Sequence, residues 1–322
     1  MRYLEAGGAR LSVIGVGTWQ FGSREWGYGE SYAKGEAGRI IGRALDLGIN
    51  LVDTAEVYGL GASERIVGQA IAGRRDEAFI ATKLFPVAPV GPVVAWRERG
   101  SARRLGVDSV DLYQIHQPNP VVPIRTQMDG MRPLLADGRV RHVGVSNFSL
   151  ARWQSAESAL GSPVLSNQVR FSLVDRRPLE DLIPWASDHD RLVIAYSPLG
   201  QGLLSARYDH THSPTGGVRT MNPLFLPENL TRATPLLDAL REVAVSHQAT
   251  PAQVAVAWVI RHPNVVAIPG ASSVEQLERN AEAADLDLSD DEHAHLTAVA
   301  SDFRPVEGRA ALPQLLRRRL PF

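Results

Sequence analysis

Cysteine is absent from all 322 residues. That excludes disulfides, thiolate metal sites and cysteine nucleophiles, and it leaves no thiol from which to read a redox compartment. An excess of charge is missing too: 34 basic against 35 acidic residues give a net charge of −1. A broad nucleic-acid surface needs a basic stripe, so no nucleic-acid partner is expected. Long apolar runs are lacking. Val254 to Ile260 is far too short to span a bilayer, and the start, MRYLEAGGARL, has no run of signal-peptide type. No membrane partner is expected, and the expected location is cytoplasmic. His210 and His212 imitate a metal pair, but no carboxylate or third histidine is spaced to complete a zinc site, so no metal is assigned. A G-x-G-x-x-G fingerprint is also missing, because Gly15-Val16-Gly17 meets Gln20 where the third glycine belongs.

What is present is apolar content of 44% with 21% charge, enough for a large core and unlike a disordered chain. Ala6-Gly7-Gly8-Ala9 reads as the turn of a small hairpin flanked by Tyr3-Leu4 and Leu11-Ser12-Val13. From Ile14 the chain alternates. Strands are expected at Ile14–Thr18, Asn50–Asp53, Phe79–Lys83, Val110–His116, Val140–Val145, Val164–Gln168, Leu192–Tyr196 and Val265–Ile268. Helices are expected between them at Gly35–Leu47, Ser63–Ala72, Val93–Leu105, Ile124–Ala136, Leu150–Ala159 and Pro178–Ser187. Further helices follow at Pro235–Val245, Pro251–Arg261, Val274–Ala283 and Asp290–Ala300. Gly100 should weaken its helix by about 1 kcal/mol relative to alanine. Strand–helix alternation in eight units predicts an α/β fold, a closed (β/α)8 TIM barrel. It carries a short N-terminal hairpin and extra C-terminal helices, in a single domain over residues 1–322, with a tail at 304–322.

The stretch Asp46–Glu64, DLGINLVDTAEVYGLGASE, organises the rest. It ends a strand in Asp53 and carries Tyr58 in a glycine-flanked loop. A charge at a strand end is costly if unpaired, so Asp53 needs a partner. In a barrel, active sites form at the C-terminal strand ends. The next strands end in Lys83 and His116, so Asp53, Tyr58, Lys83 and His116 should converge on one sector of the mouth. A lysine ammonium beside a tyrosine favours tyrosinate and lowers its pKa from near 10 towards the working range. Asp53 would hold Lys83 in place, and His116 would orient a substrate oxygen. Such a set protonates an oxygen as charge develops on it, which carbonyl reduction by hydride requires. Trp19, Trp26, Tyr28 and Phe85 lie on loops at the mouth, where they can line an apolar substrate pocket or simply cover the core.

GINLVDTAEVYGLGASERIVG at Gly48–Gly68 resembles the signature of the aldo-keto reductase superfamily, as do ATK ending at Lys83 and DLYQIHQP around His116. The resemblance runs from about Tyr3 to Asp302, and the family's catalytic tetrad falls on Asp53, Tyr58, Lys83 and His116. It implies a nicotinamide dinucleotide bound extended across the barrel mouth, with Gly17, Thr18, Trp19 and Asp53 near its reactive end. Ser146 and Asn147 in GVSNFS would bond the carboxamide with Gln168, and Tyr196 would stack on the ring. Ser197, Pro198, Leu199, Gly200, Gln201 and Leu203 would line the pyrophosphate path. Ile268, Gly270, Ala271, Ser272, Gln276, Arg279 and Asn280 occupy the place of the adenosine 2′-phosphate site, where the helix start offers N–H groups to an anion. Gly270 and Gln276 stand where NADP-preferring relatives often carry lysine and arginine, and Arg279 where an acid is common. NADP(H) is preferred, with NAD(H) as the alternative. The resemblance implies an NAD(P)H-dependent carbonyl reductase of small aldehydes or ketones, with Tyr58 as proton donor. His116 would touch the substrate. The tail would border the substrate, as the C-terminal segment often does in this family. The alternative is a cofactor-binding regulatory or redox-sensing subunit resembling potassium-channel β subunits. An isomerase or aldolase would rest on fold analogy alone. The sequence leaves the oligomeric state open.

Overall fold

The computed structural model describes residues 1–22, 30–214 and 218–317. Its first element is an antiparallel hairpin of β1 (Tyr3–Ala6) and β2 (Ala9–Ser12). The turn needs positive φ at Gly7 and Gly8, and both adopt it, at 53° and 77°. The side chains of Ala6, Ala9 and Leu11 join one buried cluster with Leu51, Leu112, Leu165, Leu192 and Val266. The hairpin thereby packs onto the interior layer of the strands that follow.

Those strands are β3 (Val16–Gly17), β4 (Leu51–Asp53), β5 (Phe79–Leu84), β6 (Val110–Ile115), β7 (Val140–Ser146), β8 (Val164–Arg170), β9 (Leu192–Tyr196) and β10 (Val265–Ile268). All pair in parallel, in sequence order. The sheet closes on itself. Gly15 N–H donates to Ala267 O at 2.8 Å, and Ala267 N–H donates to Val13 O at 2.9 Å. Gly17 sits at this seam, where a Cβ would lie 2.7 Å from Ile268 O, so only glycine fits. The product is a (β/α)8 barrel.

Its outer ring is α1 (Glu30–Asp46), α2 (Ala62–Ala70), α3 (Gly91–Leu105), α4 (Ile124–Ala136), α5 (Leu150–Leu160), α6 (Leu182–Asp188), α7 (Pro227–Ser246), α8 (Pro251–Ile260) and α9 (Val274–Glu282). Then come α10 (Asp290–Asp302) and α11 (Leu312–Arg317). Capping residues set several starts. Ser149 Oγ accepts Arg152 N–H, while Thr250 with Gln253, and Ser289 with Glu292, form capping boxes.

Three expectations shift. The helix expected from Pro235 begins at Pro227, and Pro235 is carried inside it. Pro227 fits the first turn, where its missing N–H has no helical partner to lose. Pro178 belongs to a 3-10 turn, Arg177–Leu179, ahead of α6. Helix α11 was not expected; it is a short element whose Leu315, with Ala311, packs on Leu226. Gly100 does not break α3: it is buried there, and a Cβ would meet the Arg104 guanidinium at 3.1 Å.

Candidate active site

Strand β4 delivers Asp53 to the mouth with all three of its residues buried. Thr18 N–H and Oγ1 donate to the Asp53 carbonyl at 3.0 and 2.8 Å, pinning the backbone behind the carboxylate. The carboxylate faces Lys83, the fifth residue of β5, whose Nζ lies 2.7 Å from Oδ2. Gln168 Nε2 donates to Oδ1 at 2.7 Å. Lys83 is fully buried. It also donates to Thr54 O at 2.8 Å and reaches the Tyr58 hydroxyl at 3.3 Å. Tyr58 is held by its own backbone, through N–H to Ala55 O at 3.1 Å. His116, one residue beyond β6, sets its ring edge-on to that of Tyr58, centroids 5.7 Å apart. The four predicted groups therefore meet in one sector.

Burial governs their proton affinities. It raises Asp53, although the Lys83 charge and the hydrogen bonds from Lys83 and Gln168 oppose it. For Lys83, burial is the largest effect and favours the neutral amine. Asp53 and Tyr58 together outweigh it, and the ammonium is held above its ordinary value. Tyr58 departs from expectation. Lys83 does pull its phenol down, but burial is stronger and the Asp53 charge adds to it, so the pKa is raised. Tyr58 is thus a firmly protonated phenol with a cation against its oxygen. His116 is pushed down to about 3 by burial and by Lys83, so it is a neutral imidazole. Its Nδ1 is buried and has no hydrogen-bond partner among the described residues.

These residues open on a cleft of about 720 Å3. Its walls run from Asp53, Tyr58 and His116, past Ser146, Asn147, Gln168 and Tyr196, to Ser272, Gln276, Arg279 and Asn280. Gly17, Trp19, Ser197, Pro198, Leu199, Gln201, Ile268, Gly270 and Ala271 also line it. Thr18, Gly200 and Leu203, expected on the wall, do not. Thr18 is buried behind Asp53, and Leu203 is fully buried beneath the segment after β9. Phe85 stands beside the cleft with its ring edge-on to His116. Trp26 and Tyr28 lie outside the described residues.

The cleft has an amide end and a cationic end. Tyr196 OH donates to Asn147 Oδ1 at 2.9 Å, and Asn147 Nδ2 donates to Ser146 Oγ at 3.0 Å. Asn147 adopts a positive φ of 60°, which asparagine tolerates well. At the far end, two N–H groups at the start of α9, where free donors were expected, are engaged. Ser272 N–H donates to Gln276 Oε1 at 2.9 Å, and Val274 N–H to Glu36 Oε1 at 3.2 Å. Arg279 pairs with Glu275. Other bases line the cleft instead: Arg170, Arg207 and Arg219. Arg219 Nε donates to Gln201 O at 2.9 Å, and Asn222 Nδ2 to Gln201 Oε1 at 2.8 Å, folding the segment after β9 back on itself. Sequence reading missed these three arginines because they follow no periodic pattern. The only signal was their place at a strand end or inside a long loop. The DHTH stretch is a local turn, in which Asp209 Oδ1 accepts the N–H of Thr211 and of His212.

A cleft at the C-terminal mouth of a parallel barrel, with a buried Asp–Lys pair against a tyrosine on its wall, defines a TIM-barrel protein whose candidate active groups gather at the mouth. The chain belongs to the Aldo/keto reductase family, whose description matches residues 13–301. An oxidoreductase of Mycobacterium tuberculosis is 56% identical over 321 residues, covering 99% of each chain. A methylglyoxal reductase of Escherichia coli is 32% identical over 308 residues, covering 95% of this chain and 96% of its own. A solved aldo/keto reductase from Klebsiella pneumoniae, in complex with NADP and acetate, is 30% identical. It superposes with a TM-score of 0.75, covering 92% of this chain and 94% of that one. Among the described residues no helix is long and apolar enough to cross a membrane.

Proposed function

We propose that the protein is an NADP(H)-dependent reductase of small aldehydes and ketones. The reading is carried by one arrangement: Lys83 Nζ lies 2.7 Å from Asp53 and 3.3 Å from the Tyr58 hydroxyl. The cofactor fits the cleft by its donor set. Ser146, Asn147 and Gln168 would hold the carboxamide, the Tyr196 ring would cover one face of the nicotinamide, and the arginines beyond Gln201 would meet the phosphates. Bound there, it supplies the hydride. The Klebsiella relative's complex favours NADP over NAD. The Escherichia coli relative, a methylglyoxal reductase, supports a carbonyl compound as the substrate.

The remaining work falls to this chain's own groups. Neutral His116 would orient the carbonyl oxygen without competing for the proton. Tyr58 would give its proton to that oxygen as negative charge appears on it. The phenol is a weak acid here, and the Lys83 ammonium compensates by stabilising the tyrosinate left behind. Asp53, fixed by Gln168, keeps that ammonium charged and aimed.

The test is NADPH or NADH consumption with a panel of small aldehydes, on wild type and Tyr58→Phe. The variant should lose roughly 10²- to 10⁴-fold in kcat/KM. It should bind cofactor as before. Turnover at the wild-type rate would remove Tyr58 from the mechanism.

A further inference from the structure

The cleft gives roles to Asp53, Tyr58, Lys83 and His116 but none to Glu56, two residues from Tyr58. Its side chain is only 9% exposed. One oxygen accepts Phe85 N–H at 2.5 Å and the other accepts Arg97 Nε at 3.0 Å. Arg97 Nη2 also lies 2.5 Å from the first oxygen, closing a fork. From the same guanidinium, Nη1 donates to Phe85 O at 2.6 Å and Val87 O at 3.3 Å. Asn119 Nδ2, from the loop after β6, donates to Pro86 O at 2.7 Å. Residues 85–87 are therefore gripped from the β4 loop, from α3 and from the β6 loop.

A surface loop is ordinarily mobile, and burying an ion pair costs desolvation. Here that cost fixes a side chain that gains little for itself: Phe85 remains 40% exposed. Its ring stands edge-on to His116, centroids 6.1 Å apart. Among the described residues, Tyr58 also sets its ring against His116. Trp19, 42% exposed, stands on the cleft wall nearby in the same mouth. An exposed phenyl held at both its backbone N–H and its carbonyl is fixed in place beside the cleft.

We infer that Glu56 and Arg97 are positioning residues that lock Phe85 beside His116, creating an apolar wall that favours carbonyls with aromatic or bulky apolar substituents. This rests on the carbonyl-reductase reading. The wall acts on the substituent rather than on the reacting oxygen. Losing the clamp should therefore leave Tyr58, held by Ala55 and Lys83, where it is.

The test uses the full chain with Glu56→Ala, Glu56→Gln and Phe85→Ala. Glu56→Ala should lower kcat/KM for benzaldehyde roughly ten- to a hundredfold, mainly through KM, as expected for a small misplacement. Acetaldehyde turnover and the Kd for NADPH should stay as in wild type. Glu56→Gln, which keeps an acceptor for Phe85 N–H, should recover most of the loss. Without substrate, the His116 ring protons in NMR should move in Glu56→Ala as they do in Phe85→Ala, because the phenyl ring current is displaced. Equal losses for both aldehydes, or unmoved His116 signals, overturn the inference. Failure of the parent reading looks different. Wild type would reduce neither aldehyde, and the NMR comparison would still decide whether the clamp positions Phe85.

Discussion

Two buried carboxylates on barrel strands are built in opposite ways. Asp111 lies near the start of β6, at the N-terminal end of the barrel. It accepts Ile80 N–H at 2.8 Å and Arg75 Nη2 at 2.7 Å, and it pairs with Arg141 at 2.9 Å. Both arginines reach in from the rim, with side chains 25% and 61% exposed. Asp53 ends β4 at the opposite pole, and its cation, Lys83, has no exposure at all. Both sites compensate a buried charge, as they must. They differ in the counter-charge. Arginine does not deprotonate, and its head can relax into water. A buried lysine is pinned, titratable, and here touches a phenol on a cleft wall. The lower site spends its charge on joining strands β5 and β6. The upper site keeps a charge where chemistry can use it, in keeping with the division of labour between the two faces of such barrels.

Lys83→Met should break the comparison from above. It removes the cation beside the phenol, and kcat/KM for a small aldehyde should fall by roughly 10²- to 10⁴-fold. Steady-state kinetics and cofactor titration check this together, because NADPH binding should persist. If activity survived, the upper pair would be structural like the lower one.

Asp111→Ala probes the other side. Ile80 N–H loses its acceptor in a buried place, which costs about 1–3 kcal/mol. Arg75 keeps its bonds to Ala78 O and Ser109 O, so its charge is not stranded. Denaturant unfolding should show the loss while kcat/KM stays at the wild-type value. A kinetic defect without a stability loss would erase the distinction between the two poles.

The upper site was legible because its residues are tied to strand ends. Apolar runs fix roughly where β4, β5 and β6 stop, and Asp53 at the end of β4, Lys83 one residue before the end of β5 and His116 one residue beyond β6 come with them. The same rule places the lower pole poorly. Asp111 interrupts an apolar strand, and nothing in the local pattern says that Arg75 and Arg141 answer it from 36 and 30 residues away. Eight strands and the closing seam followed from alternation alone. The start of α7 did not, because Pro235 reads as a helix start and only packing carries it inside a helix begun at Pro227. The direction of the Tyr58 shift was also beyond the sequence. Pairing with Lys83 could be read from spacing, but burial, the larger effect, belongs to the folded mouth. Glu56 was unreadable for the same reason: its partner Arg97 is set by how α3 lies against the β4 loop.

The smallest expected effect concerns acid. His116 in the mouth sits at about 3, and His262, packed outside the barrel among Phe171, Trp258 and His293, sits at about 4. Both are lowered chiefly by burial from an ordinary value near 6.5. Between about pH 6.5 and pH 4 the unfolded chain binds protons that these folded histidines refuse. The folded state should therefore lose stability as pH falls through that window, by at most about 1.4 kcal/mol per pH unit for each histidine. Asp53 works the other way. Its raised pKa lets the folded state take a proton more readily, which blunts the slope. At the lower pole His142, next to Arg141 and near Asp111, is also lowered chiefly by burial, so the sensitivity should be shared by the mouth, the His262 cluster and the lower pole. Urea unfolding from pH 4 to pH 7 on wild type, His116→Asn and His262→Asn measures it, and each variant should flatten the curve. The kinetic counterpart follows from the same neutrality: kcat/KM should show no inflection near pH 6.5. An inflection there that vanished in His116→Asn would mean the imidazole is charged in the working enzyme, and that the mouth is wetter than its burial implies.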